Sequence, residues 1–291
     1  MPVLRWRGGL GLAVDDWVSD EVPIAFEFNG ISHAVMLATP CDLHDFALGF
    51  GLSEGIFEDA SELYDCEPHA EGPGITLQME VSSRSFASLK NRRRTLAGRT
   101  GCGVCGAQSL AEVLRPIPSV SSNLHFESQA ILAAIRSMRT GQLLNGLTGS
   151  MHAAAWCDAN GDVRMLREDV GRHNALDKLV GGLAAARMKV ATGFIAVTSR
   201  ASIEMVQKAA VAMAPLLAAV SAPTQLAVDA ARSTGMSLVG LARQEDLVIY
   251  AHAGRITLPT SFSAPSLPPA RGLATERSAA LKAGRRMQAM R

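Results

Sequence analysis

No apolar run in this chain reaches the ~18 residues that a membrane span needs, and Met1 to Asp20 lacks a basic stretch followed by an apolar one. A cytoplasmic location without membrane or secretory segments is therefore the expectation. No Walker A pattern (GxxxxGK followed by Ser or Thr) occurs, so the usual ATP site lacks support. A second CxxC or an HxxxH, either of which could complete a four-ligand zinc site, is also absent. Net charge is nearly absent too: 28 basic and 27 acidic residues leave +1, which argues against a dedicated nucleic-acid binder. Five cysteines, an odd number, do not suit a secreted disulfide framework. What is present is a globular composition, 48% hydrophobic over 291 residues, enough for one large domain or two modest ones.

The near-zero charge conceals an imbalance. Six of the 28 basic residues (Arg271, Arg277, Lys282, Arg285, Arg286, Arg291) and one acidic residue, Glu276, lie from Arg271 onward, leaving 22 basic and 26 acidic before it. The body is mildly acidic and the tail basic. Residues 259–291 are Pro/Ser-rich and then Ala/Arg-rich, which reads as a mobile tail.

Residues 1–20 read as an extension. Alternating apolar positions either side of Asn29-Gly30 predict a hairpin, because this pair supplies the positive φ angles of a type I′ turn. Thr39-Pro40 reads as N-cap and first residue of an amphipathic helix ending before Gly55, and an extended region follows around Ile75 to Met79. Helical patterns occupy Gln108 to Leu114 and Gln129 to Met138, the second capped by Ser128. From Gly149 the rhythm changes. Strands at 152–157 and 163–167 flank a turn, then a helix (174–188), strand (193–198), helix (203–213), strand (216–220), helix (225–234) and strand (247–251) follow. The fold class is α/β: a smaller N-terminal α+β part over 21–125 and a three-layer α/β/α core over 126–258.

Cys41, Cys66 and Cys157 stand alone, as small buried hydrophobes do. Cys102 and Cys105 form a CxxC bordered by glycines, within a window from Val81 to Ala111 that holds no acidic residue but includes Arg84, Lys90, Arg92, Arg93, Arg94 and Arg99. Positive charge and a following helix N-terminus favour thiolate over thiol. Four uses fit: half of a zinc site, a thioredoxin-like redox pair, two small residues packing a turn, and carriage of sulfur as a persulfide.

The second half offers anion-binding features. Strand ends run into Thr198-Ser199-Arg200-Ala201-Ser202 and Ser221-Ala222-Pro223-Thr224, where helix N-termini present free N–H groups, and Asp169, Arg172 and His173 crowd another strand end. These turns suit a phosphorylated ligand, and ordinary capping by Ser202 and Thr224 explains them equally well. His152-Ala153-Ala154 lacks the glutamate of zinc deaminases, and the CxxC precedes rather than follows it.

Several of these motifs occur together in one family. From Glu21 to about Arg255 the chain resembles the FdhD-type formate dehydrogenase accessory sulfurtransferases (the FdhD/NarQ family). The resemblance rests on the Asn29-Gly30 hairpin, Thr39-Pro40, Leu48-Gly49-Phe50 through Ser53-Glu54-Gly55 and Thr100-Gly101-Cys102-Gly103-Val104-Cys105-Gly106. It continues in Thr148-Gly149 with His152, in Glu168 through Ala175, in Thr198-Ser199-Arg200 with Glu204-Met205, and in Val220 through Thr224 with Leu226-Ala227-Val228. It implies a cytidine-deaminase-like core without deaminase zinc chemistry, no metal of its own, and a homodimer. It also implies that sulfur is taken from a cysteine desulfurase and delivered to the molybdenum cofactor in its bis-guanine-dinucleotide form (Mo-bis-MGD), for which a guanine nucleotide is a mimic, for use by the formate dehydrogenase catalytic subunit. Cys102 and Cys105 match the reactive pair, and Leu241, Ala242, Arg243, Gln244, Glu245 and Asp246 match a cofactor-contacting stretch. Asp169, Arg172, His173, Ser199, Arg200, Ser221 and Thr224 are then expected to hold the guanine nucleotide. A non-catalytic chaperone for that cofactor is the alternative.

Overall fold

Gly8 and Gly9, both at positive φ (59° and 88°), turn the first two strands of the computed structural model into an antiparallel hairpin, β1 (Pro2–Arg7) and β2 (Leu10–Asp15), where the sequence predicted only an extension. The structure describes residues 1–94 and 116–259, and Met1–Thr257 forms one compact unit. The Asn29-Gly30 turn forms as expected (φ 46° and 76°) between β3 (Val22–Phe28) and β4 (Ile31–Ala38).

Helix α1 (Leu43–Ser53) starts three residues later than Thr39-Pro40 suggests, after Asp42 in the left-handed conformation. Thr39 is engaged elsewhere. Its amide donates to Asp169 Oδ2 (3.0 Å), its carbonyl accepts from Lys178 Nζ (2.8 Å), and its hydroxyl accepts from the Val170 amide (3.2 Å). β5 (Leu63–Glu71) and β6 (Gly74–Val81) complete a sheet of order β4-β3-β6-β5, and α2 (Ser83–Arg94) follows. The core of this sheet is aromatic: Phe26 stacks on Phe50 (4.3 Å between centroids) and meets Phe46 edge-on (5.0 Å). Cys102, Cys105, Arg99 and the helix expected at 108–114 lie outside the described residues, as does the tail from residue 260.

β7 (Phe126–Glu127) leads into α3 (Ser128–Gly141), whose N-cap is Glu127, not Ser128, and then the short α4 (Leu143–Thr148). β8 (His152–Asp158) and β9 (Val163–Asp169) form the expected hairpin, and α5 (Arg172–Ala185), β10 (Gly193–Val197), α6 (Ile203–Val211), β11 (Leu216–Ala219) and α7 (Gln225–Thr234) alternate as predicted. β12 (Ser237–Arg243), unanticipated as a strand, pairs with β13 (Asp246–Ala251), and β14 (Ile256–Thr257) pairs with β7. The central sheet runs β13-β12-β11-β10-β8-β9, with β10, β11 and β12 parallel. α5, α6 and α7 cover one face through Leu176, Leu179, Val206 and Ala231, and α3 covers the other through Ile131, Ile135 and Met138. The outcome is the α/β/α layering that alternation predicts.

The two sheets are joined where α1 crosses α5. Gly49 and Gly181 allow the contact: a Cβ on Gly49 would overlap the Asp177 carbonyl oxygen, and one on Gly181 the Asp45 carbonyl oxygen. Arg167 adds an ion pair to Asp45 (2.6 Å).

Candidate functional site at one edge of the central sheet

Because β8 runs antiparallel to both β9 and β10, the end of β9, the start of β8 and the ends of β10, β11 and β12 fall on one sheet edge. Backbone bonds join the turns there. The Thr224 amide donates to the Ala201 carbonyl (3.0 Å), the Leu241 amide to the Ser221 carbonyl (3.3 Å), and the Thr198 amide to the Ala153 carbonyl (3.1 Å). Asp169, Arg172, His173, Ser199, Arg200, Ser221, Thr224 and Leu241 are thus gathered along this edge, at the C-terminal ends of parallel strands where open α/β sheets present their ligand crevices.

Their chemistry differs in detail. Asp169 is fully buried, and its carboxylate accepts from Thr39, Gly171 (2.7 Å) and Asn174 Nδ2 (2.9 Å) and pairs with the equally buried Lys178 (2.7 Å). Every lone pair is used inside the protein, so Asp169 holds the β9–α5 turn instead of facing a ligand. Glu168 likewise accepts the Leu144 and Asn145 amides (2.8 and 2.9 Å), closing the start of α4. Thr224 caps α7 by accepting the Ala227 amide (3.3 Å), and the buried Ser199 hydroxyl donates to the Arg200 carbonyl (3.0 Å).

Arg172 and His173 are the exceptions. Arg172 Nε and His173 Nε2 are buried and have no hydrogen-bond partner among the described residues, a state that native interiors rarely leave unexplained. They begin α5, where the helix dipole favours an anion. Burial first, then Arg172 and Lys208, push His173 down to about 4, against the raising pull of Glu204 and Glu54; burial and Arg172 likewise lower His152. Both imidazoles are therefore neutral at pH 7. Burial works to raise the Glu204 carboxyl, but the adjacent Ser202 hydroxyl and its own amide, with His173 and Arg172 nearby, outweigh it and hold the group below its ordinary range. Arg200 is exposed beside this cluster. A cation, two neutral imidazoles and helix N-termini suit an anionic, hydrogen-bonding ligand such as a nucleotide phosphate.

The stretch from Leu241 to Asp246 divides. Leu241 joins the edge, whereas Ala242 is buried against the α3 layer and Arg243 to Asp246 form the exposed β12–β13 turn, with Gln244 at φ 56°. Arg136 of α3 donates to the Gln244 carbonyl (3.3 Å) and pairs with Glu245 (3.5 Å), so Glu245 meets a cation of its own chain. Lys178 and Thr39, which organise the site, were overlooked in sequence: Lys178 sits in an apolar helical repeat between Leu176 and Leu179, a position a lysine occupies only when paired.

The three described cysteines are poor nucleophiles. Burial pushes Cys157 up to about 12 and Cys66 to about 11, each helped by a neighbouring aspartate; burial also raises Cys41, despite Lys178 Nζ at 3.7 Å. Among the described residues no cluster of three or more His, Cys, Asp or Glu could hold a metal ion, and no helix is long and apolar enough to cross a membrane.

The chain is 56% identical over 241 residues to a sulfur carrier protein FdhD of Variovorax paradoxus, covering 83% of this chain and 87% of that one. It is 52% identical to one of Bordetella petrii, covering 88% and 93%. The crystal structure of a formate dehydrogenase accessory protein from Desulfotalea psychrophila superposes with a TM-score of 0.69 over 88% of this chain and 98% of that one, at 23% identity, a likeness of fold. With residues 19–257 matched by the model of the FdhD/NarQ family as well, the chain belongs to that family.

Proposed function

We propose that this protein is a sulfur carrier that accepts persulfide sulfur from a cysteine desulfurase and transfers it to the molybdenum cofactor, as Mo-bis-MGD, for use by formate dehydrogenase. The carrying observation is the division of labour among the cysteines. Three of five are buried or half-buried thiols with raised pKa, which leaves sulfur chemistry to Cys102 and Cys105. The named relatives, sulfur carrier proteins at half identity or more, support the same reading. In this scheme the Cys102 thiolate attacks the outer sulfur of the desulfurase persulfide, keeps that sulfur as its own persulfide, and releases the desulfurase cysteine as thiolate. The Cys105 thiolate then attacks the Cys102 sulfur, which breaks the persulfide S–S bond, expels the outer sulfur as hydrosulfide for the cofactor and leaves a Cys102–Cys105 disulfide that a dithiol reductant returns to two thiols.

The cofactor is cargo. Arg172 and His173, with Arg200 and the turns at Ser199, Ser221 and Thr224, take its guanine-nucleotide end; the orphaned Arg172 Nε–H fits an acceptor oxygen of an anion, and His173 Nε2 does so in the tautomer that carries its proton there. Mass spectrometry after incubation with desulfurase and cysteine tests the sulfur step. Wild type and a Cys41→Ser/Cys66→Ser/Cys157→Ser chain are expected to gain one sulfur atom, and a Cys102→Ser/Cys105→Ser chain none. Equal loading of all three overturns the assignment. A chaperone that only holds the cofactor would still mature formate dehydrogenase with Cys102 and Cys105 replaced; sulfur carriage predicts that it does not.

A further inference from the structure

Helices α5 and α6 both start at the sheet edge of the candidate site and run side by side away from it, clamped by Lys208 of α6, which pairs with Asp177 of α5 at 2.7 Å. Residues four apart lie on one face of a helix. His173 comes one turn before Asp177 and Glu204 one turn before Lys208, so these two face each other where the helices begin, each within the other's electrostatic reach. His173 Nε2 has no hydrogen-bond partner among the described residues, so this nitrogen is not bonded to Glu204.

An acidic residue in a first helical turn is ordinary where it meets water. Glu204 is half-buried, and it stands beside Arg172 and His173, the groups that suit an anion. A carboxylate there repels phosphate and attracts N–H donors. It also has acceptor capacity to spare, since its own amide uses one of the roughly four lone-pair sites of a carboxylate. The neighbouring carboxylates are committed, Asp169 to Thr39, Gly171, Asn174 and Lys178, and Glu168 to the Leu144 and Asn145 amides. Guanine presents two N–H donors side by side, at N1 and at its exocyclic amino group, which match the two oxygens of one carboxylate. Adenine turns a lone pair at N1 towards the same oxygens, and hypoxanthine lacks the amino group.

We infer that Glu204 is the residue that selects the base of the bound nucleotide, its carboxylate accepting from N1–H and the exocyclic amino group of guanine while the phosphates lie towards Arg172 and Arg200. This assignment rests on the reading of the sheet edge as the guanine-nucleotide site.

Calorimetric titration of the diphosphates of guanosine, inosine and adenosine into the full chain tests it, with Glu204→Gln and Arg172→Met beside wild type. Wild type is expected to bind the guanosine form at least about tenfold more tightly than the inosine form, the worth of one charge-assisted hydrogen bond, and the adenosine form more weakly still. In Glu204→Gln the amide NH₂ faces the exocyclic amino group, so the ratio of guanosine to inosine affinity is expected to fall to about one or below. Arg172→Met is expected to weaken both forms alike and keep the wild-type ratio. A general loss of structure lowers both affinities together, so the ratio reports the contact itself. Equal affinity of wild type for the guanosine and inosine forms, or a wild-type ratio in Glu204→Gln, overturns the assignment, and the site itself still stands if Arg172→Met weakens both forms. No binding of any of the three by wild type overturns the site and the assignment together.

Discussion

The two sheets of this molecule are stabilised by different means. The four-stranded sheet closes over phenylalanines, with Phe26, Phe28, Phe46 and Phe50 buried together and Lys178 Nζ of the neighbouring helix 5.5 Å over the Phe46 ring. The six-stranded sheet is built on small residues such as Ala153, Ala154, Ala155, Ala196, Ala218 and Ala219, and the helix beside it buries two lysine–aspartate pairs, Lys178–Asp169 and Lys208–Asp177, both at 2.7 Å. Small side chains bring helices close to the strands, and the buried pairs then fix the turns that a ligand would meet. The aromatic sheet supplies the frame and lends the charged end three groups, Thr39, Asp45 and Glu54.

The contrast can be broken first at its seam. Gly49→Leu puts carbon where the Asp177 carbonyl oxygen lies, and it is expected to abolish folding of the joined sheets, seen as loss of soluble protein or of a cooperative melt. Next come paired substitutions, one per sheet. Phe26→Ala removes aromatic packing and Lys178→Met strands a buried carboxylate, and each is expected to cost about 3–5 kcal/mol in urea unfolding. They separate in repair: adding Asp169→Asn to Lys178→Met recovers part of the loss, because the uncompensated charge has gone while the side-chain oxygen still accepts from the turn. Nothing comparable restores Phe26→Ala.

A smaller effect comes with acid. His173 titrates near 4 in the fold against an ordinary ~6.5, so the unfolded chain binds this proton first, and stability falls as pH drops from about 6.5 towards 4. A His173→Gln chain is expected to show a flatter melting-temperature profile across that window. Smallest is Thr224→Ala, which removes the α7 cap at about 1 kcal/mol.

Local signals carried much of this fold. The Asn29-Gly30 hairpin, the β8–β9 hairpin and α7 at Gln225–Thr234 follow from turn chemistry and periodicity within a few residues. β1–β2 was missed although Gly8-Gly9 is a hairpin turn, because its apolar residues occupy both faces and give no one-sided alternation. Pro40 misplaced the start of α1 because Thr39 is claimed by Asp169 and Lys178, more than a hundred residues away. The same distance hid the fate of Asp169: sequence places a carboxylate at a strand end but cannot count the donors that fold onto it. Arg172 and His173 were visible as polar neighbours, and only the folded chain distinguishes their unused nitrogens from the satisfied groups around them.

Titration of a guanine nucleoside diphosphate into the full chain, followed by calorimetry, tests most directly whether this sheet edge is the cofactor's binding place. Wild type is expected to bind, and Arg172→Met to bind at least about tenfold more weakly, as loss of a charge-assisted contact dictates, with unfolding unchanged. Equal affinity of the two chains, or no binding by wild type, contradicts it.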